Sequence, residues 1–182
     1  MINKILFFSF LCILLWYKNN VEAGTLLVGN TKVHQVIFNS SLYLVNETFR
    51  GTWLQAMLYC KLLDMDLVSI ESKEENDFLY KTLYRYINTQ QTWYWTSGTT
   101  LPYDKWVWMA TGSPVIYTHW FTNRPDNSGG NKNALEVQLY PGKGLYWTNS
   151  NQNDTKRAIC EVKIVKSINA TDEDDDNVPI FR

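Results

Sequence analysis

The chain has 182 residues, of which 45% are hydrophobic, 15% aromatic and 19% charged, a composition typical of a globular protein. Residues 24–171 carry 14 Lys and Arg against 12 Asp and Glu, and an acidic run follows at residues 172–176. This near-neutral body excludes the strongly basic surface of a nucleic-acid-binding protein. We expect one globular domain of ordinary size.

The first 23 residues have the features of a secretory signal peptide. Lys4 precedes an apolar run over residues 5–17, and Ala23 supplies a small residue at the expected cleavage position. The run is shorter than the roughly 20 residues of a membrane-spanning helix, which disfavours the alternative of a signal anchor. We therefore predict cleavage before Gly24, no membrane span in the remaining chain, and a secreted, extracellular product.

The cysteines and the glycosylation sequons are consistent with export. Cys12 would leave with the signal peptide, so Cys60 and Cys160 should form a disulfide in the oxidising compartment, although two separately buried thiols are the alternative. Four Asn-X-Ser/Thr sequons follow the signal peptide and are candidate glycosylation sites: Asn39, Asn46, Asn153 and Asn169. Asn39 and Asn46 are favoured because both are expected near turns.

The first predicted elements are two short strands and a helix. Residues 33–44 have a strand-like pattern, interrupted by a turn at residues 39–41. A helix should begin after Thr52, because Gln55 completes a capping box three positions later. Apolar residues then repeat with the helical period at Trp53, Ala56, Met57 and Cys60. This pattern turns Cys60 toward the core.

A short strand over residues 67–70 and a second helix are predicted next. Ser72 and Glu75 have the spacing of another capping box. The buried side of this helix is expected at Phe78, Leu79, Leu83 and Tyr86.

Residues 92–130 show no helical period and are rich in Trp, Gly, Pro, Asn and Ser. We interpret this stretch as a long, ordered, functional loop. Alternation returns at residues 135–139, 145–147 and 158–165, which predicts the closing strands. The expected organisation is a signal peptide over residues 1–23, one domain over 24–168 and an acidic, disordered tail over 169–182.

The order of these elements over about residues 36–165 resembles the C-type lectin-like domain. The resemblance rests on the first helix, on Arg124-Pro125-Asp126-Asn127, and on three tryptophan segments: Trp95-Thr96-Ser97-Gly98, Trp106-Val107-Trp108, and Trp147 ahead of Cys160. It implies an α+β fold in which two helices flank small antiparallel sheets, with a long irregular loop and one disulfide. Short secreted lectins of invertebrates look most similar.

In sugar-binding members of this family, a calcium ion in the long loop contacts the sugar. Calcium prefers six to eight oxygen ligands, several of them anionic. The matching positions here are Arg124, Asp126, Lys132, Thr148 and Asn149, with Asn127 adjacent, and Asp126 is the single carboxylate among them. The positions of the family's inner disulfide are Ala134 and Gln152. We therefore expect a degenerate calcium site, with no metal and no other cofactor.

The loop should instead be held by packing of its tryptophans. Core filling is expected for at least three of Trp95, Trp106, Trp108 and Trp120. An exposed tryptophan could stack on a sugar face. His34 and His119 have no catalytic partner at a recognisable spacing, so an enzyme is not expected.

The leading hypothesis is a secreted C-type lectin-like recognition protein that binds glycans or glycoconjugates weakly or without calcium. Anionic glycans are favoured by the cations at Arg124 and Lys132, and innate immunity or another extracellular recognition process is the expected setting. The alternative is a non-sugar protein-binding or structural extracellular module, in which the same loop contacts a protein partner. The expected partners are therefore glycans or an extracellular glycoprotein.

Overall fold

The computed structural model describes residues 24–28, 31–87, 91–102 and 104–164. The predicted signal peptide (1–23) and acidic tail (169–182), including the sequon at Asn169, lie outside these residues. The elements in chain order are β1 Gly24–Val28, β2 Thr31–Phe38, β3 Ser41–Asn46, α1 Trp53–Lys61, β4 Asp66–Leu67, α2 Lys73–Ile87, β5 Thr92–Thr99, β6 Val107–Trp108, β7 Ala134–Tyr140, β8 Gly144–Ser150 and β9 Arg157–Lys163. Neither of these helices is long and apolar enough to cross a membrane.

Both helices begin where their capping residues predict. At α1, Gln55 N–H donates to Thr52 Oγ1 (3.3 Å) and Thr52 N–H donates to Gln55 Oε1 (2.9 Å), so the capping box is complete. At α2, Glu75 N–H donates to Ser72 Oγ (3.1 Å), but the Glu75 carboxylate accepts from Glu71 N–H and from the Tyr43 hydroxyl. The second capping box is therefore only half formed, because a tertiary contact takes the carboxylate.

The strands form one connected sheet in the order β1-β2-β3-β9-β5-β7-β8, with β4 paired to β9 and β6 paired to β5. The predicted α+β architecture is confirmed. One detail differs from the expected antiparallel sheets, because β5 and β9 pair in parallel at Tyr94–Arg157 and Trp95–Ala158. This pairing joins the sheet of the long-loop half to the sheet of the terminal strands.

The prediction of irregular structure was wrong for Thr92–Thr99, which form strand β5. Seven of the eight residues are buried, so the strand shows no alternation between apolar and polar positions. It lies between β7 and β9 in the sheet. The long loop therefore begins only after Thr99 and is interrupted by the two-residue strand β6.

Two apolar clusters fill the core. Cys60 of α1 and Cys160 of β9 form the predicted disulfide, with a Cα–Cα distance of 5.4 Å, and both residues are fully buried. The cluster around the disulfide includes Trp53 and Trp95. The larger cluster packs α2 against β7 and β8 and includes Leu79, Leu83, Val137, Leu145 and Trp147, with Phe78 and Tyr86 half-buried at its edge. It forms the base on which the long loop rests.

Candidate functional site

The long loop is attached to the sheet through backbone hydrogen bonds at the edge of β8. Phe121 N–H donates to Trp147 O (2.8 Å), and Trp147 N–H donates to His119 O (2.9 Å). Trp120 and Trp147 are thereby paired in parallel. This short segment continues the sheet beyond β8 and places the next residues, 124–132, over the end of that strand.

Aromatic packing holds the loop from beneath. The Trp147 ring is in edge contact with Trp108, Tyr117 and Trp120, at centroid distances of 5.7, 5.4 and 5.8 Å. Its indole N–H donates to Asn76 Oδ1 at 2.8 Å. Trp95 and Trp108 are buried, whereas Trp106 and Trp120 are half-buried and pack against the core. Core filling is therefore complete for two of the four tryptophans and partial for the others.

Asp126 is the centre of the candidate site. One carboxylate oxygen forms an ion pair with Arg124 Nη1. The other accepts from Lys132 Nζ at 2.7 Å, from Ser128 Oγ at 2.7 Å and from Ser128 N–H at 2.9 Å. Lys132 Nζ also donates to Ser128 Oγ at 2.8 Å. Arg124, Asp126, Ser128 and Lys132 thus form a closed cluster, which we call the Asp126 hub.

Asn149 ties the Asp126 hub to the sheet. Its Oδ1 accepts from Asp126 N–H at 3.0 Å, and its Nδ2 donates to Asp126 O at 2.5 Å and Lys132 O at 2.9 Å. Asn149 is only 4% exposed, so these bonds are shielded from water. The structure thus brings Arg124, Asp126, Lys132 and Asn149 together, as the resemblance implies.

Two other predicted site residues do not join the hub. The Thr148 side chain is buried, and its hydroxyl lies 3.5 Å from Asn149 O. Asn127 is exposed and contributes its backbone carbonyl to Gly130 N–H at 3.0 Å. Ser128 was not predicted, although an Asp side chain commonly accepts a hydrogen bond from the backbone N–H two residues on, as Asp126 does here.

The residues of the Asp126 hub do not fit a calcium ion. Both carboxylate oxygens of Asp126 are engaged by cations, and Asn149 directs its amide N–H groups toward the backbone oxygens. Calcium would need several anionic oxygens at this place. In the described part of the chain, no group of three or more His, Cys, Asp or Glu could hold a metal ion.

The positions of the family's inner disulfide take part in other contacts. Ala134 is buried at the start of β7 and pairs with Ser150 of β8. Gln152 accepts a backbone hydrogen bond from Trp53 N–H at 2.9 Å. The segment that follows β8 is therefore attached to the beginning of α1.

The described sequons differ in accessibility. Asn39 is exposed in the turn between β2 and β3, and Asn153 is also exposed. Asn46 is only 7% exposed, its Nδ2 donates to the Tyr59 hydroxyl at 2.7 Å, and its Oδ1 accepts from Thr48 N–H at 2.8 Å. Asn46 therefore lies near a turn, at the end of β3, as expected, but its amide is buried and bonds within that turn. Glycosylation stays a prediction at every sequon.

The titratable groups with shifted pKa values lie outside the Asp126 hub. Burial raises the pKa of Glu75, and burial together with the hydrogen bond to Glu75 raises the pKa of Tyr43. Burial also raises the pKa of Tyr117 to about 12; this tyrosine borders a cavity of about 330 Å³ beside Trp108. His34 contacts Glu47 at 2.5 Å, and His119 stacks on Tyr146. These residues take part in packing and ion pairing, and their arrangement suggests no catalytic mechanism.

Comparisons with known proteins identify the family. Residues 50–162 match the model of the Lectin C-type domain. Perlucin of Haliotis laevigata is 26% identical over 124 residues, which cover 68% of this chain and 78% of that protein. Salivary C-type lectin 1 of Aedes albopictus is 25% identical over 116 residues, which cover 61% and 76% of the two chains.

Solved structures show the same fold. The carbohydrate-recognition domain of the mouse scavenger receptor C-type lectin superimposes with a TM-score of 0.61 at 24% identity, covering 72% of this chain and 96% of that chain. The C-type lectin domain of murine dendritic cell inhibitory receptor 2, solved in complex with an N-glycan, gives 0.61 at 20% identity, covering 71% and 95%. The chain is therefore a member of the C-type lectin family, with the family's long loop closed by an internal ion-pair cluster.

Proposed function

We propose that the chain is a secreted C-type lectin-like protein that recognises glycans or glycoconjugates without calcium. The observation that carries the proposal is the Asp126 hub, in which Arg124 and Lys132 occupy both oxygens of Asp126. The long loop thus holds the Arg124 and Lys132 side chains where sugar-binding members of the family hold a calcium ion. Such a loop supports ligand recognition and does not support a chemical reaction.

Carbohydrate is the favoured class of ligand because of the family. Dendritic cell inhibitory receptor 2 of mouse was solved with an N-glycan, and the cow CD23 domain was solved in the presence of a GlcNAc2Man3 oligosaccharide. The proposal carries this class of ligand over to the present chain. Secretion is supported by the signal-like residues 1–23, and a role in innate immunity or another extracellular recognition process is part of the same proposal.

The pairing of Arg124 and Lys132 with Asp126 changes the expected preference for anionic glycans. Arg124 and Lys132 are each paired with Asp126, so the three side chains carry a formal +1 in place of two unpaired cations. This weakens the attraction for anionic glycans that the sequence predicts. A protein partner is the second candidate, and the loss of the anionic calcium ligands favours it.

A glycan-array screen of the secreted protein, with and without a chelator, tests the proposal. We expect binding to at least one glycan and the same binding pattern after chelation. Loss of binding in chelator would contradict the calcium-independent part of the proposal. Binding to no glycan would favour a protein partner.

Calorimetry tests the absence of the calcium site directly. We expect no calcium binding by the wild type at millimolar calcium. Lys132→Glu alone should produce little affinity, because a calcium cage needs several anionic oxygens together. The triple variant Arg124→Glu, Lys132→Glu, Asn149→Asp should bind calcium. Micromolar binding by the wild type that Asp126→Ala abolishes would show that the hub is a calcium site after all.

A further inference from the structure

The long-loop half of the sheet has an outer face that is rich in aromatic side chains. Trp93 of β5 pairs with Gln138 of β7, and Gln138 pairs with Tyr146 of β8. Residues that are directly paired across strands place their side chains on the same face of the sheet. These three residues therefore form one row, and the larger core cluster lies on the opposite face with Tyr94, Val137 and Trp147. Two positions along the strands on the same face as the row, Trp95 and Glu136 are buried, so the open part of this face begins at Trp93.

Further aromatic rings extend this row at the edge of β8. Phe121 stacks on Tyr140, with ring centroids 5.4 Å apart and an interplanar angle of 9°, and it meets Tyr146 edge-on at 5.7 Å. His119 stacks on the Tyr146 ring at 5.1 Å. We call the set Trp93, Gln138, Tyr140, Tyr146, His119 and Phe121 the aromatic face.

The aromatic face is open to solvent at both ends. Trp93 is 36% exposed and Phe121 is 39% exposed, while Tyr140 and Tyr146 are half-buried. Gln138, in the middle of the row, is only 8% exposed, and its Oε1 accepts from the Tyr140 hydroxyl at 2.8 Å. With a strand spacing of about 4.8 Å, the row from β5 to the loop segment beside β8 spans about 14 Å. This length corresponds to two or three linked sugar rings.

The chemistry of the aromatic face fits a neutral oligosaccharide. Its polar groups are an amide, two phenols and an imidazole, and the set contains no carboxylate, ammonium or guanidinium group. The apolar faces of sugar rings can stack on aromatic rings, while hydroxyl and amide groups bind sugar hydroxyls. A stable protein interface needs about 800 Å² on each partner, which is more than six side chains offer when three of them are half-buried and one is buried.

We propose that the aromatic face is a carbohydrate-binding site for neutral oligosaccharides, separate from the Asp126 hub. Trp93 and Phe121 would stack on sugar rings at the two ends, and the Tyr146 hydroxyl would hydrogen-bond between them, while the hydrogen bond from Tyr140 to Gln138 would hold the row in place. The proposal rests on the proposed carbohydrate recognition. It adds the location of the binding site, on the aromatic face, and the class of glycan, which is neutral.

Binding of defined tetrasaccharides to the full secreted chain tests the proposal. The probes are β1,4-linked tetramers of glucose, N-acetylglucosamine and galactose, and a heparin-derived tetrasaccharide represents the anionic class. We expect binding of at least one neutral probe in the presence of chelator. Trp93→Ala and Phe121→Ala should each weaken it about three- to tenfold, in the range of a single aromatic contact, and Trp93→Phe should retain most of the affinity.

Tyr84→Ala is the matched control, because Tyr84 is 41% exposed on α2 and lies outside the aromatic face. It should leave binding unchanged. Glycan binding that is unaffected by Trp93→Ala and Phe121→Ala would overturn the aromatic face while leaving the proposed function intact. Preference for the heparin tetrasaccharide alone would overturn the neutral class. Binding to none of the probes, together with a blank glycan array, would overturn both proposals.

Discussion

Lys156 and Glu136 form a buried ion pair whose removal should cost more stability than that of a surface pair. Lys156 Nζ lies 2.9 Å from Glu136 Oε2, and the two side chains are 17% and 4% exposed. Among the described residues, that carboxylate oxygen accepts no hydrogen bond of good geometry, so the ion pair is the main compensation for its burial. The ammonium also lies 5.6 Å from the centroid of the Trp95 ring. Glu136 therefore depends on one cation.

Replacing Lys156 by Met keeps the aliphatic stem and removes the charge. Breaking a buried pair from one side costs about 3–5 kcal/mol, and we expect about 3–4 here because Lys156 retains some exposure. For a domain of this size, such a loss lowers Tm by roughly 10 °C. Urea and thermal unfolding at pH 7, with the disulfide intact, measure both quantities.

Two further variants make the test specific. Lys73→Met removes a cation from the exposed pair with Asp77, whose side chains are 68% and 48% exposed, and should change stability little because solvent screens an exposed pair. The double variant Glu136→Leu, Lys156→Met should regain most of the loss, because no buried charge remains. The reasoning is refuted if Lys156→Met costs no more than Lys73→Met.

Three other predictions concern the disulfide, the sequons and a buried acid. Thiol titration of unfolded, unreduced material should find no free cysteine, and removing both Cys60 and Cys160 should cost about 4.7 kcal/mol; two reactive thiols would contradict the bridge. Peptide mapping after glycosidase treatment should find higher occupancy at Asn39 than at Asn46, and the reverse order would show that the sugar is added before Asn46 is buried. The carboxyl carbon of Glu75 should titrate above pH 4.5 in NMR, because burial raises its pKa. Its contribution to stability is then full below pH 4.5 and is lost as the pH rises through the folded pKa; titration at or below 4.5 would show that the hydrogen bonds from Tyr43 and Glu71 outweigh burial.

Local signals predicted several elements well. Thr52 and Gln55 located the start of α1 because a capping box needs only neighbouring residues. The pairing of Cys60 with Cys160 followed from cysteine counting in an exported chain. The closing strands at β7, β8 and β9 were visible because alternation or apolar runs accompany them.

Features that depend on distant residues could not be predicted. Strand β5 is buried on both faces and therefore lacks alternation, so the exposure of Trp93 within it was also hidden. Glu75 has the spacing of a capping residue, but Tyr43 is close enough to take its carboxylate at 2.6 Å.

The Asp126 hub was partly foreseen. The resemblance identified the positions, and the charge count argued against calcium. The direct bond from Lys132 to Asp126 was visible only in three dimensions.

Lys132 and Asp126 are joined by a short segment of chain, and this affects how the conformation of the long loop depends on the surrounding fluid. The two residues are six positions apart, so the ammonium is present at the carboxylate at a constant effective concentration. A dissociable ion leaves when the surrounding fluid is depleted of it, whereas a tethered ammonium does not respond to dilution. The loop should therefore have the same conformation whether or not calcium is present in the surrounding fluid. A signal that opens it would have to come from a ligand or from covalent modification of Lys132.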